Sequence, residues 1–428
     1  MNGLGLIVSL GSLGIVVAAL LIRPKVGLWL FLVLRPITEA FADVPTGLPV
    51  TGNALLAAAL VVLFGFYVLT RNIRPFPLWG SMGLYGVGVL GTGLLMSSPD
   101  GVLNYAPRVV APLVFFTWVY LEITRPRDVA WFLTAAFPLG VFMWISFAYS
   151  PFAPETALDY GGREFVGFFG GGSEMGAFLL AVLPLFVLLS THARGWRKGL
   201  FGISLIGDLL FIVLTLKRFA WLGALIFLAV IGFPAMRDRL LRRRRITMTH
   251  VLAGVMLLGL LTGLVYWQRE LIVTRLINQQ VNVADLLDRR TLSQIDTNAW
   301  SRGRVAVWTE ALDYWRNGSL LNHLFGYGLG TFPTLYGVGL HNDFLTLLTD
   351  NGIVGVLVYA LFALNLFRLL WATKRMAKHS PLVRQMRLLS LGALAAMIAQ
   401  GQVNGNFYNM FHQYYYYFVF ALTLGTAR

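Results

Sequence analysis

The residues best suited to chemistry lie in one polar stretch, Ser301 to Gly355, of an otherwise apolar chain. Arg302 and Arg304 flank a glycine there, and His341-Asn342 precedes a return to apolar sequence. Arginine binds phosphate groups through paired hydrogen bonds and keeps its charge. An imidazole, whose ordinary pKa is about 6.5, can accept a proton from a hydroxyl group near neutral pH. Together these residue types favour transfer chemistry on an anionic, lipid-linked substrate at a membrane surface.

The composition predicts a polytopic membrane protein. Of the 428 residues, 57% are hydrophobic and only 12% are charged, which is more apolar surface than a soluble domain needs. The chain has no cysteine, so disulfides, thiolate metal sites and cysteine nucleophiles are excluded. Apolar stretches long enough to cross a bilayer predict an all-α bundle of about 12–13 spans, near residues 4–22, 26–42, 53–70, 77–96, 106–123, 129–149, 173–191, 199–215, 218–236, 248–267, 346–372, 388–402 and 410–426.

The basic residues predict the orientation of these spans. They concentrate in alternate connecting segments, most of all in 237–245 and 368–387, which have six Lys or Arg each. This alternation follows the positive-inside rule and explains the net charge of +15 without a nucleic-acid partner. We therefore predict a transmembrane bundle (1–267), an extracytoplasmic helical loop domain (268–345) and C-terminal transmembrane helices (346–428). In a Gram-negative host the loop domain and the active face would be periplasmic, on a multi-pass protein of the inner membrane.

Three cationic sites lie on the predicted outer side of the membrane, where the positive-inside rule predicts few basic residues. Lys217-Arg218 form the tip between the eighth and ninth spans, Arg163 precedes the glycine-rich start of the seventh, and Arg108 begins the fifth. Cations that oppose the prevailing bias suggest a counter-ion, so each is a candidate for binding an anion. The alternative for Lys217-Arg218 is snorkelling to lipid headgroups, and for Arg108 it is an ion pair with Asp100.

A helix is predicted directly after Arg302 and Arg304. Apolar and polar side chains separate onto two faces with helical spacing, and two tryptophans on the apolar face place the helix along the bilayer interface. Arginines near the start of a helix oppose its dipole, which favours anion binding over a structural role. The apolar face has Val305, Trp308, Leu312 and Trp315, and the other face has Glu310, Asp313 and Arg316.

Four motifs, in this order, resemble those of the O-antigen ligase and polymerase superfamily of bacterial envelope enzymes. The resemblance covers roughly 160–372 by motif and the remainder by hydropathy. Lys217 departs from the family, which more often has a small polar residue there, and so does the extra amino-terminal span. The motifs are Arg163 before a glycine-rich helix start, Thr215-Leu216-Lys217-Arg218, Gly303-Arg304 followed by Trp308, and Leu324-Phe325-Gly326-Tyr327-Gly328 leading to His341-Asn342-Asp343-Phe344-Leu345 and Asn351-Gly352.

The resemblance implies a membrane glycosyltransferase with a helix bundle of the C type. Its donor would be a glycan on a polyprenyl (undecaprenyl) diphosphate, and its acceptor another glycan. We expect Arg218 and Arg304 to bind the diphosphate and stabilise the charge that develops as the glycosidic bond breaks, with Arg163 and Arg302 next. His341 would orient and deprotonate the acceptor hydroxyl. The further substrate-binding candidates are Lys217, Asn342 and Arg108.

A direct, inverting displacement of this kind needs no covalent intermediate. No Asp-x-Asp pair accompanies the outer arginines, so we predict catalysis without a metal ion or other cofactor. Two roles stay open, a ligase that passes O-antigen to lipid A-core and a polymerase that extends the glycan on its carrier. A transporter or flippase of lipid-linked glycan is the alternative class, and Asp208 is almost its only candidate for an ionisable mid-span residue.

Overall fold

The computed structural model describes residues 2–40, 52–71, 78–97, 99–150, 167–169, 172–215, 217–241, 304–331, 340–404 and 410–427. Within these ranges the regular structure is helical and includes no β-strand. The helices are α1 (Asn2–Ile22), α2 (Pro24–Ala40), α3 (Gly52–Thr70), α4 (Trp79–Met96), α5 (Pro99–Glu122), α6 (Pro126–Leu133), α7 (Ala136–Tyr149), α8 (Gly172–His192), α9 (Trp196–Leu214), α10 (Arg218–Leu241), α11 (Arg304–Arg316), α12 (Leu320–Phe325), α13 (Asp343–Ala372), α14 (Lys374–Ala377), α15 (Pro381–Asn404) and α16 (Met410–Thr426).

The predicted spans coincide closely with these helices, which confirms the all-α class. The stretch predicted at 129–149 is divided into α6 and α7, because Pro138 has no N–H to donate to the carbonyl of Thr134. The span predicted at 248–267 lies outside the described residues. By length and composition alone, four segments of the described chain could cross a membrane: Pro126–Tyr149, Ser173–His192, Asp343–Ala377 and Pro381–Gln402.

The last helix, α16, lies at the centre of the bundle. Its residues 412–422 are all buried, as expected of a helix that is apolar around its whole circumference. The Tyr415 hydroxyl donates to the carbonyl of Leu32 on α2 at 3.1 Å. The Tyr416 hydroxyl donates to the side-chain oxygen of Gln400 on α15 at 3.0 Å. Helix α16 therefore connects α2, near the start of the chain, with α15, near its end.

Helices α4 and α13 pack side by side and are tied together by amides. The Asn365 side chain donates to the Ser81 hydroxyl at 2.8 Å, and the Asn351 side chain donates to the Thr92 hydroxyl at 2.6 Å. Because polar partners are scarce in an apolar bundle, such bonds fix the register of two helices. This pairing sets the position of the first turns of α13, where the candidate site lies.

Candidate active site

Helix α13 is broken at Gly352. This residue has φ 65° and ψ −165°, so residues 343–351 and 353–372 form two helical halves. The second half rises roughly 30 Å at 1.5 Å per residue, about the thickness of the hydrocarbon core, and is followed by Lys374 and Arg375. The break therefore lies at the level of one bilayer surface, which is the outer one in the predicted topology.

The glycine loop, residues 326–331 with Gly326, Gly328 and Gly330, packs across this break and is hydrogen-bonded to it. The amides of Tyr327 and Gly328 donate to the carbonyls of Thr349 and Asp350 at 2.8 and 2.9 Å. The amide of Gly330 donates to the Asp350 carboxylate at 2.8 Å. The sequence motif includes the glycines but not Asp350. This residue is fully buried and binds the loop to the first half of α13.

The same loop is bound to the amino-terminal half of the chain. The Leu329 amide donates to the Ser97 hydroxyl at the end of α4. Gly330, with φ 69°, packs so closely on the Tyr105 ring of α5 that a methyl group would overlap it. A residue with a side chain could therefore adopt neither the backbone conformation nor the contact at Gly330.

His341 immediately precedes the first half of α13. Its side chain is exposed, and its φ of 50° is the one positive value at a non-glycine residue among those described. A left-handed backbone costs an L-residue about 1–2 kcal/mol, and such strain clusters at functional sites. Asn342 caps the helix, accepting from the Leu345 amide at 3.0 Å, and donates to the carbonyl of Gln402 at 3.1 Å. The structure thus shows a structural role for Asn342 and a strained, accessible imidazole beside it.

The next residue, Asp343, is buried within electrostatic range of three tyrosines. Its side chain is 4% exposed and packs against Gly401, where there is no room for a β-carbon. The carboxylate interacts electrostatically with the hydroxyl groups of Tyr85, Tyr359 and Tyr417. These residues come from α4, α13 and α16, and their approach is not visible in the sequence because they are far apart along the chain.

Helix α11 brings the Arg304 motif to the same place. The Trp308 indole N–H donates to the carbonyl of Leu340 at 2.8 Å, one residue before His341, and Arg304 begins the same helix one turn earlier. Farther along, the Tyr327 hydroxyl donates to the carbonyl of Tyr314 at 2.8 Å, and burial raises the pKa of Tyr327. The predicted apolar face is confirmed for Trp308 and Leu312, which pack with Val307, Ala311, Leu340 and Leu345.

Two more predicted motifs lie next to each other at the start of α8 and the tip between α9 and α10. Gly176, one turn into α8, lies against Thr215 and Ala220, where an added methyl group would meet both at 3.2 Å. Lys217 is half-buried, and its carbonyl accepts from the Ala220 amide at 3.0 Å. Sequence spacing alone does not reveal this contact between the glycine-rich start and the cationic tip.

The predicted arginines are described to different extents. Arg163 and Arg302 lie outside the described residues, and Arg218 and Arg304 are described only as the first residues of their helices. Arg108 is fully described: its guanidinium carbon lies 5.1 Å from the centroid of the Tyr105 ring. Arg108 therefore reaches the glycine loop through Tyr105.

Asp208 lies in the middle of α9, apart from the elements above. It is fully buried, and neither of its carboxylate oxygens has a hydrogen-bond partner. The pairing partner or polar cavity that its position in a span would require is not found among the residues that the structure describes.

Comparison with known proteins points to one family of envelope enzymes. Residues 203–360 match the family model described as O-antigen ligase, and no curated protein matches the chain. The matched segment runs from α9 into α13 and includes the cationic tip, α11, the glycine loop and His341. Glycosyl transfer of the ligase or polymerase type is the activity that this match supports in general. It confirms the resemblance of this all-helical, multi-pass membrane protein to the O-antigen ligase and polymerase superfamily.

Proposed function

We propose that the protein transfers a glycan from undecaprenyl diphosphate to an acceptor glycan, with inversion, at the periplasmic face of the inner membrane. The observation that carries this proposal is the position of His341. Its exposed imidazole has a strained backbone at the start of a broken helix, one residue from the contact between Trp308 and Leu340. The geometry supports a base held beside the helix that begins with Arg304.

In the proposed reaction the His341 imidazole takes the proton of an acceptor hydroxyl group. The acceptor oxygen attacks the anomeric carbon of the donor sugar from the side opposite the diphosphate. The bond between that carbon and the diphosphate oxygen breaks, and its electron pair leaves with the diphosphate. Because negative charge grows on this leaving group, permanently cationic side chains lower the barrier. We assign this role first to Arg218 and Arg304, with support from Arg163, Arg302 and Lys217.

The glycine loop gives this site its rigidity. Its backbone is bonded to α13 at Thr349 and Asp350 and to α4 at Ser97. A catalytic group is effective only when its geometry is fixed before the reaction, since misplacement by about 1 Å can cost about a hundredfold in rate. We therefore assign the loop a positioning role.

The test is reconstitution with undecaprenyl-diphosphate glycan and two acceptors, lipid A-core and a second carrier-linked glycan. We expect wild-type protein to transfer glycan to one of them, and the acceptor used distinguishes a ligase from a polymerase. His341→Ala and Arg304→Ala should each lose transfer. His323→Ala is the matched control, because His323 belongs to the same outer segment but its Nε2 donates to the Arg316 carbonyl at 3.2 Å. Full transfer by both of the first two variants would refute the site.

A further inference from the structure

Arg108 has no charged or hydrogen-bonding partner among the side chains that the structure describes. Its guanidinium stacks on Tyr105 at 5.1 Å, and its Nε is buried without a hydrogen-bond partner. It forms no ion pair or hydrogen bond with any side chain that the structure describes, and the side chain of Asp100, its predicted ion-pair partner, lies outside that part of the chain. Since a buried donor left unpaired costs about 1–3 kcal/mol and more when charged, this arrangement indicates a ligand acceptor.

The side chain faces the inside of the bundle and not the lipid. Arg108 shares one helical stripe of α5 with Pro112 and Phe115, which follow it by four and seven residues. Phe115 is fully buried and packs edge-on against Tyr414 of α16, with the ring centroids 5.4 Å apart. Snorkelling to lipid headgroups explains arginines on a lipid-facing stripe, so it does not explain Arg108.

Two carboxylates on neighbouring elements, within the described part of the chain, are already engaged. Glu39 on α2, a helix that packs against α5, pairs with Arg35 at 2.8 Å. Asp350 accepts the Gly330 amide at 2.8 Å. Neither Glu39 nor Asp350 is therefore free to pair with Arg108. An anion from outside the chain fits the position better.

The position is connected to the candidate active site. The Tyr105 ring on which Arg108 stacks is the same ring that packs on Gly330. From Gly330 the chain leads to His341, and the Gly330 amide is bound to the first half of α13. Arg108 and Tyr105 precede residue 203, where the segment that matches the family model begins. The amino-terminal helices therefore add a cation and an aromatic ring that the matched segment does not contain.

We propose that Arg108, supported by the ring of Tyr105, is an anion subsite that binds an acidic group of the substrate. The shared chemistry is an oxyanion that can accept two parallel N–H bonds from a guanidinium. Its source is either the diphosphate of the lipid-linked donor or the carboxylate of an acidic sugar in the glycan. This inference rests on the proposed function, because it assumes that a lipid-linked anionic glycan enters the site.

The test measures binding directly, on full-length protein in lipid nanodiscs. The probes are geranylgeranyl diphosphate, which has the diphosphate but no sugar, and a hexuronate disaccharide with its carboxyl-reduced counterpart. Arg108→Gln removes the charge, and Arg108→Lys keeps the charge without the planar fork. The matched control is Arg71→Gln, because Arg71 also stacks on a tyrosine, Tyr67, at 4.8 Å, but at the predicted cytoplasmic end of α3.

We expect Arg108→Gln to weaken the binding of one probe about tenfold or more, as the loss of a charge-assisted bond predicts. Arg108→Lys should weaken it less, and Arg71→Gln should match wild type. Weaker binding of geranylgeranyl diphosphate identifies the diphosphate as the anion that Arg108 binds. Weaker binding of the hexuronate disaccharide, with unchanged binding of its carboxyl-reduced counterpart, identifies the carboxylate instead. Thermal unfolding of each variant shows that the fold is intact.

If Arg108→Gln binds both anionic probes as wild type does, the subsite is refuted. The same assays separate this failure from failure of the proposed function. Wild-type protein that neither binds geranylgeranyl diphosphate nor transfers glycan would refute the function. Wild-type protein that does both, next to an unaffected Arg108→Gln, would refute the subsite alone.

Discussion

The backbones of Gly326 and Gly352 cross in direct contact. A methyl group added to Gly352 would meet the amide nitrogen of Gly326 at 2.6 Å, and one added to Gly326 would overlap the backbone of Asp350. Both glycines have positive φ, 76° and 65°. The glycine loop can therefore approach the break in α13 only because there is a glycine on each side of the contact. This contact positions the residues on either side of it.

Gly352→Ala tests the crossing. The left-handed backbone alone costs alanine about 1–2 kcal/mol, and the overlap with Leu324 and Gly326 adds to it. We expect a lower unfolding temperature in detergent and a larger loss of transfer than stability alone explains. Gly86→Ala is the control, because a β-carbon there meets nothing within 4 Å and helical alanine gains about 0.5–1 kcal/mol over glycine. Equal stability of the two variants would contradict the crossing as a structural requirement.

The helices could be predicted from the sequence because each depends on its own apolar stretch. The break in α13 could not, since Gly352 lies inside the stretch 346–372 that is predicted as one span, and its conformation depends on contacts with Leu324 and Gly326. The contact of the loop with Ser97 joins residues 232 positions apart. The family resemblance implied that His341 and Arg304 act together, but the hydrogen bond that links their segments, from Trp308 to Leu340, depends on packing.

His341→Asn separates the chemistry of the imidazole from the strain of its backbone. Asparagine tolerates positive φ better than most residues, so the fold around φ 50° should survive, whereas the amide cannot act as a base. We expect transfer to fall by roughly 10²- to 10⁴-fold, the usual contribution of a general base, with little change in unfolding temperature. His341→Ala should lose both activity and some stability. Near wild-type transfer by the asparagine variant would exclude His341 as the base.

Transfer should not require a divalent metal ion. In the proposed reaction the charge of the leaving diphosphate is stabilised by arginines, which do the electrostatic work that a bound cation does in other transferases. The initial rate measured in the presence of excess chelator should therefore equal the untreated rate. A rate that falls with chelator and recovers on addition of magnesium or manganese would show that a metal ion takes part.

Asp208→Leu should stabilise the protein. The Asp208 carboxylate is fully buried, and neither of its oxygens has a partner in the described part of the chain. An apolar replacement therefore removes a desolvation penalty of about 1–3 kcal/mol. We expect a higher midpoint of unfolding with transfer unchanged. Asp128→Leu is the contrasting control, because Asp128 pairs with Lys25 at 2.6 Å and accepts the amides of Thr124 and Arg125 at 2.9 and 2.8 Å. A loss of stability in Asp208→Leu would reveal a partner for this carboxylate.

We expect the short helix α12 to insert its leucines into the outer surface of the bilayer. Its Leu320 and Leu321 are 72% and 60% exposed, which is unusual for adjacent leucines in water. The end of α12 touches the break of α13, where a methyl group on Gly352 would overlap the backbone of Leu324. Since residues 353–372 of α13 rise roughly 30 Å, that break lies at the edge of the hydrocarbon core, and so do the two leucines.

Spin labels measure this depth, and the absence of cysteine from the chain removes background labelling. Labels on Leu320→Cys and Leu321→Cys, in nanodiscs, should collide more often with oxygen, which concentrates in lipid, than with a water-soluble nickel complex. The label on Glu310→Cys, on the exposed face of α11, should show the reverse. If the leucine labels behave like the one at position 310, α12 lies in water, and its two leucines would instead be a surface for contact with protein.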